Sequence, residues 1–268
     1  MHAFRRAGAG AAAAALCSVL LLVAGPAGAV VGGQSDTSNI YANAGVLQGQ
    51  FAPGEWFDYC SGTLVADNVV LTAAHCTDFL GPGDLRVSFD VDPNGGSTYY
   101  YADQIVVHPD WFTAPPCRGN SKRCYLAPPR EDIALVWLSE NVAGVTPAPV
   151  AGAGYLDALD LTSESFTVVG YGVDDFIKGN IISPHSIAVV DGVRSYRHVT
   201  AITEHDAFPD RFVKITQSLC FGDSGGPLFH DGTVVAIDTW TFSPRCEGPN
   251  LSYRVDAPTA QAFLDKYL

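Results

Sequence analysis

The run Cys220-Phe221-Gly222-Asp223-Ser224-Gly225-Gly226-Pro227 constrains this chain more than any other stretch. Its glycines leave the backbone bare on both sides of one hydroxyl, and such a backbone turns sharply instead of continuing a strand or helix. A serine hydroxyl is a weak nucleophile until a base takes its proton and fixed donors receive the charge on the attacked carbonyl. The run supplies two of these parts: Ser224 offers the hydroxyl, and the amides of Gly222 and Ser224 can face one oxyanion. Alone, it reads only as a good turn.

The missing parts lie upstream. A base candidate, His75, ends Val70-Leu71-Thr72-Ala73-Ala74-His75-Cys76, and an acid candidate, Asp132, opens Asp132-Ile133-Ala134-Leu135. With these motifs in the order His, Asp, Ser, the chain resembles the chymotrypsin/trypsin-like serine proteases, of the secreted, bacterial type. The resemblance runs from Val30 nearly to the C-terminus and is loose over 140–215. It implies an all-β fold of two six-stranded antiparallel Greek-key barrels with a C-terminal helix. The peptidase domain is then 30–268, with the crossing between halves near 141–158.

Composition narrows the partners. With 47% hydrophobic and 16% charged residues, the 268-residue chain can bury a sizeable core, which argues against disorder. A formal charge of −13 argues against nucleic acid or an anionic membrane as a partner. Residues 1–29 read as a signal peptide: Arg5 and Arg6, an apolar stretch from Ala11 to Ala24, then Ala27-Gly28-Ala29 as a cleavage site. The apolar stretch is short for a membrane anchor and is followed by Gly25 and Pro26. The arginine pair by itself does not select the twin-arginine export route. The expected location is outside the cell, with no membrane association once the signal is removed.

Cys17 falls in the signal, which leaves Cys60, Cys76, Cys117, Cys124, Cys220 and Cys246 for an oxidising compartment. Spacing alone cannot choose among the possible pairings. The family resemblance implies Cys60–Cys76 and Cys220–Cys246, leaving Cys117–Cys124 as a local clip. No Cys-x-x-Cys or paired-His spacing supports zinc. No metal or cofactor is expected. Asp90-Val91-Asp92-Pro93-Asn94-Gly95 starts like a calcium loop, but Tyr101 stands where its closing acid is needed, so a hairpin tip is the preferred reading.

Along the chain, 62–65 and 69–72 read as a hairpin that delivers His75 just past a strand end, and 85–89 as a half-buried strand. His108 is expected at the surface or in packing. Residues 113–130 read as an inserted loop beside the cleft, with Glu131 exposed and without a role. The apolar run 133–138 suits a buried strand holding Asp132. Residues 166–172 resemble the family's first strand of the second half. Residues 233–237 read as a strand, and Pro258 opens a helix with Phe263, Leu264 and Tyr267 on one stripe.

The resemblance implies a mechanism. Ser224 attacks a peptide carbonyl, His75 moves the proton, Asp132 fixes the imidazole, and the Gly222 and Ser224 amides hold the oxyanion. Val30-Val31-Gly32-Gly33 matches the family's mature N-terminus, so the amine of Val30 is expected to pair with Asp223. Cleavage after Ala29 would itself expose Val30, with no separate propeptide. Ser218 falls at the base of the primary specificity pocket, and Thr239-Trp240-Thr241 matches the strand that pairs with substrate. A neutral Ser218 and a Thr241 side chain at the mouth point to an uncharged, small or apolar residue before the cut. Asp238 would favour basic residues instead if its carboxylate reached the pocket. Leu251 is a further candidate for the wall. The expected partners are protein or peptide substrates, and the expected state is a monomer. Two rivals remain: a catalytically silent binding relative of the same fold, and an acyl or ester hydrolase using the same triad.

Overall fold

The computed structural model describes residues 29–111, 130–173, 175–177, 187–189, 192–200, 202–205, 208–216, 219–241, 243 and 246–268. Residues 1–28 of the expected signal segment, the 113–129 loop with Cys117 and Cys124, and Ser218 lie outside them.

Up to residue 138 the chain forms the strands β1 (Gln34–Ser35), β2 (Ala44–Ala52), β3 (Glu55–Ala66), β4 (Val69–Thr72), β5 (Leu85–Ser88), β6 (Tyr100–Val107) and β7 (Ala134–Leu138). Strands β2-β3-β4-β7-β6-β5 close into a barrel. The expected hairpin is β3–β4, turning at Asp67-Asn68, with Leu64 opposite Val70. β5 is more buried than simple alternation suggests, because closure places it between β2 and β6. Leu47, Leu64, Val70, Leu85, Val87 and Val136 fill the interior. Each such side chain contributes about 1.5–3 kcal/mol by leaving water.

The second half holds β8 (Ser165–Gly170), β9 (Asp175–Ile177), β10 (Ile187–Val189), β11 (Ser195–Thr200), β12 (Thr203–Glu204), β13 (Phe212–Ile215), β14 (Pro227–His230), β15 (Thr233–Thr241), β16 (Asn250–Arg254) and the helix α1 (Pro258–Tyr267). A curled sheet runs β1-β11-β8-β14-β15-β16-β13-β12, and β9 pairs with β10 alone. The architecture is the expected chymotrypsin-like double barrel with its C-terminal helix. Pro258 sits in the first turn of α1, where its missing N–H costs nothing. Ala260, Phe263 and Leu264 are buried at helical spacing, and Phe263 packs on the ring of His108. His108 is therefore a packing residue.

β1 belongs to the second half: Gln34 pairs with Tyr196 on β11. Just beyond it lies a buried ion pair that the sequence did not announce. Arg194 Nε donates to Asp36 Oδ2 at 2.9 Å, and both side chains are fully buried. Arg194 also donates to the carbonyls of Ala44 (3.0 Å) and Phe89 (2.9 Å), to the Tyr171 hydroxyl (3.2 Å) and to Asn39 Oδ1. One guanidinium thus ties the N-terminal segment, the first barrel and the end of β8 together.

The 90–98 stretch is the β5–β6 connection. Asp92 accepts from the Asn94 amide at 2.9 Å and Asp90 from the Thr98 amide at 2.9 Å. Both carboxylates are engaged in shaping the turn.

Candidate active site

β4 ends at Thr72, and a single 3-10 turn over Ala74–Cys76 follows. This turn carries His75, whose side chain is 31% exposed. Asp132 comes from the entry to the neighbouring strand of the same barrel. Asp132 lies just before β7, which pairs with β4 so that Thr72 faces Ala134. Asp132 Oδ2 lies 2.7 Å from His75 Nδ1, and its Oδ1 accepts the His75 backbone amide at 2.9 Å. Asp132 is fully buried. Burial alone would lower the His75 pKa, but the Asp132 charge and hydrogen bond, with a further contribution from Asp78, outweigh it and raise it above the ordinary imidazole value.

Ser224 sits half-buried on the turn before β14. Its carbonyl accepts the Ser61 amide at 2.7 Å, and Cys76 Sγ lies 3.6 Å from the same oxygen. The Ser224 peptide is therefore laid against the residue that follows His75. Cys60 and Cys76 are joined, as are Cys220 and Cys246. The sulfurs of Cys60 and Cys76 lie close to His75, but as a disulfide they offer no thiolate for a metal.

The turn's peptides are oriented by their carbonyls. The Phe221 carbonyl accepts from Val173 N at 2.9 Å, and the Asp223 carbonyl from Gly226 N at 2.9 Å. In a trans peptide the N–H points opposite the C=O. The amides of Gly222 and Ser224 are thus aimed away from these bonds, and neither is used by another described residue. Two unspent amides, those of Gly222 and of Ser224 itself, thus lie on the half-buried turn that carries the hydroxyl.

Ser61, which the sequence did not single out, organises this turn. Its hydroxyl donates to the Gly222 carbonyl at 2.8 Å and accepts the Tyr171 amide at 3.1 Å. Its carbonyl accepts from Thr72 Oγ1 at 2.8 Å. Its place beside Cys60 was the only available signal. Gly225 fits between these groups because it has no side chain: its φ is +81°, and a Cβ there would collide with Thr72 Oγ1 and the Ser61 carbonyl.

Asp223 is fully buried, its oxygens accepting from Gly172 N at 2.9 Å and Cys220 N at 2.8 Å. A Cβ on Gly172 would lie 2.7 Å from the Asp223 carboxyl carbon, so this pocket needs glycine there. Val30 is also buried, its carbonyl accepting Gly33 N at 2.6 Å.

The expected substrate strand is the end of β15. Trp240 is 36% exposed, while the Thr239 hydroxyl donates to the Leu251 carbonyl at 3.2 Å. The Thr241 hydroxyl faces its own loop, 3.4 Å from the Ser243 carbonyl. Leu251 is buried in the core. Asp238 is buried opposite Ser252, whose hydroxyl donates to Oδ1 at 2.7 Å, while Oδ2 has no hydrogen-bond partner among the described residues. Burial, only partly offset by the Ser252 hydrogen bond, pushes the Asp238 pKa well above the usual carboxylate range.

Glu131 is a correction. Expected to be exposed, it is 7% exposed. The missed signal was not in the residue itself but in partners more than 75 residues away in sequence: Arg211, Tyr253 and Thr259.

Comparison with known proteins agrees with this architecture. The family profile described as Trypsin matches residues 31–264, and the chain belongs to the trypsin family of serine proteases. It is 27% identical to "Trypsin, alkaline B" of Manduca sexta over 79% of this chain and 80% of that one. It is 35% identical to "Chymotrypsin-like elastase family member 1" of Macaca fascicularis over 74% of this chain and 72% of that one. Among solved structures, human heparin binding protein shares the fold with a TM-score of 0.61 at 20% identity, over 88% of this chain and 95% of that one.

Proposed function

We propose that the chain is a secreted serine endopeptidase that cleaves peptide bonds through an acyl-enzyme, with Ser224 as nucleophile, His75 as base and then acid, and Asp132 as the group that fixes the imidazole. The observation that carries this reading is the two-point hold of Asp132 on His75, at 2.7 Å and 2.9 Å. With Nδ1 so engaged, Nε2 is the ring nitrogen left to take the Ser224 proton. The proton then passes to the leaving amine, and water repeats the cycle to free the acid. The amides of Gly222 and Ser224 receive the oxyanion, and losing one such donor typically costs about 100–1,000-fold in turnover.

Export and cleavage after Ala29 free the amine of Val30, which pairs with the buried Asp223. A buried carboxylate favours a partner charge. The residue preferred before the cut is uncharged and small or apolar. Asp238 does not oppose this preference: its carboxyl is buried against the Ser252 hydroxyl, and burial there disfavours the charged form. The ester-hydrolase rival on the α/β-hydrolase plan places its histidine last, whereas His75 comes first here.

A fluorophosphonate probe on the mature protein tests the reading, with Ser224→Ala as control. Stoichiometric labelling lost in the control supports a live enzyme, and no labelling of the wild type means a silent relative. Turnover of chromogenic peptides over the matching esters supports the peptidase. A sharp preference for Arg or Lys would overturn the uncharged pocket.

A further inference from the structure

Glu131 holds an unusual place. Its φ is +47°, in the left-handed region that side-chain-bearing residues enter only when their surroundings keep them there. The surroundings are explicit. Glu131 Oε2 accepts from the Tyr253 hydroxyl and from Thr259 Oγ1, the latter at 2.8 Å. Its Oε1 lies 3.6 Å from Arg211 Nη1. Tyr253 is on β16, Thr259 is in the first turn of α1, and Arg211 immediately precedes β13. All three belong to the second half of the molecule. Glu131 itself belongs to the loop that enters β7 of the first barrel.

The residue that follows is Asp132. The Glu131 carbonyl accepts Ile133 N at 2.9 Å, and the Ile133 carbonyl accepts His108 N at 3.1 Å, so the turn is tied on both sides of Asp132. The Glu131 carboxylate fastens this turn to the half of the protein that carries Ser224. Asp132, in turn, sets the His75 ring and backbone. We propose that Glu131 is a positioning residue: its anchorage to Tyr253, Thr259 and Arg211 sets where Asp132 holds His75 relative to Ser224. This role rests on the peptidase reading for its effect on turnover, but not for its effect on His75.

The test uses the full mature chain carrying Glu131→Ala, Glu131→Gly or Glu131→Gln. Glycine tolerates the left-handed backbone, so Glu131→Gly removes the anchor without forcing the turn to refold. The Gln variant keeps an oxygen acceptor for Tyr253 and Thr259. NMR titration of the His75 imidazole is read first, since it needs no turnover. Without the anchor the Asp132 contact loosens, and the His75 pKa falls toward the ordinary imidazole value in the Ala and Gly variants and stays near wild type in Gln. In the active enzyme, kcat per titrated active site drops by roughly 10–100-fold with KM within about twofold, the pattern of a lost transition-state interaction. The acid limb of the pH–rate profile moves down with the His75 pKa. Thr259→Val removes one anchoring donor from the second half alone, and shifts His75 in the same direction even if the Glu131 variants fail to fold. Variants that lower only the melting temperature, with the His75 titration and kcat unchanged, overturn the proposal. Failure of wild-type fluorophosphonate labelling sinks the peptidase reading instead, and leaves the His75 titration to decide this one.

Discussion

Asp132 grips His75 at two points, the ring nitrogen Nδ1 at 2.7 Å and the backbone amide at 2.9 Å. The two contacts do different work. The backbone contact holds the 3-10 turn that carries the imidazole, and the ring contact chooses its tautomer. Asp132→Asn keeps the size of the side chain but not its charge. Turnover should fall by about 10,000-fold, the scale set by the Ser-His-Asp template. His75 must be neutral to act as a base, and Asp132 raises its pKa. The acid limb of the wild-type profile should therefore lie above the ordinary imidazole value and move down in the variant. A pH series of kcat/KM with an activated ester substrate checks both.

Gly225 offers a sharper structural test. Any side chain there meets Thr72 Oγ1 and the Ser61 carbonyl, at a backbone conformation side chains resist. Gly225→Ala should cost at least about 1–3 kcal/mol for the conformation alone. It should also displace Ser224 enough to abolish active-site titration. Urea denaturation and fluorophosphonate labelling of the same sample separate the two losses.

Asp238 makes stability depend on pH. Its folded-state pKa lies well above the unfolded value, so the folded state binds this proton more tightly. The contribution to stability is fully present below the unfolded carboxylate pKa and is lost as pH rises through the folded one. Asp238→Asn should flatten that part of the curve. Unfolding midpoints between about pH 4 and pH 9 would show it, and a wild-type curve that rises across this window by the same amount as the variant's would refute it.

The bridge between Cys220 and Cys246 spans 26 residues and braces the turn that holds Ser224. A Cys220→Ala, Cys246→Ala pair should lower stability by about 2–4 kcal/mol. Active-site titration should fall at temperatures where the rest of the fold persists, as read by far-ultraviolet circular dichroism.

What could be read from the sequence was local or carried by motif. The β3–β4 hairpin, the buried β7 and the apolar stripe of α1 follow from spacing, because each is decided by residues a few positions apart. The two described disulfides and the meeting of Asp132 with His75 came from the motifs. What escaped were polar contacts made across long separations. Ser61 is an ordinary strand residue until Gly222 and Tyr171 fold against it. Glu131 looks like a loop acid until Tyr253 and Thr259 close over it. Arg194 and Asp36, 158 positions apart, show no periodicity that would mark either as internal. A charge in a sequence is read as solvent-facing by default, and only the fold reveals its partner.

That buried guanidinium has a consequence for how the chain can change. Replacing Arg194 or Asp36 alone strands the other charge away from water, at a cost of about 3–5 kcal/mol, while replacing both with matched apolar groups can be neutral. The two positions are therefore locked to each other: drift at one is tolerated only with a compensating change at the other. Asn39, Tyr171 and the Ala44 and Phe89 carbonyls, which share the same cation, limit which replacements could succeed.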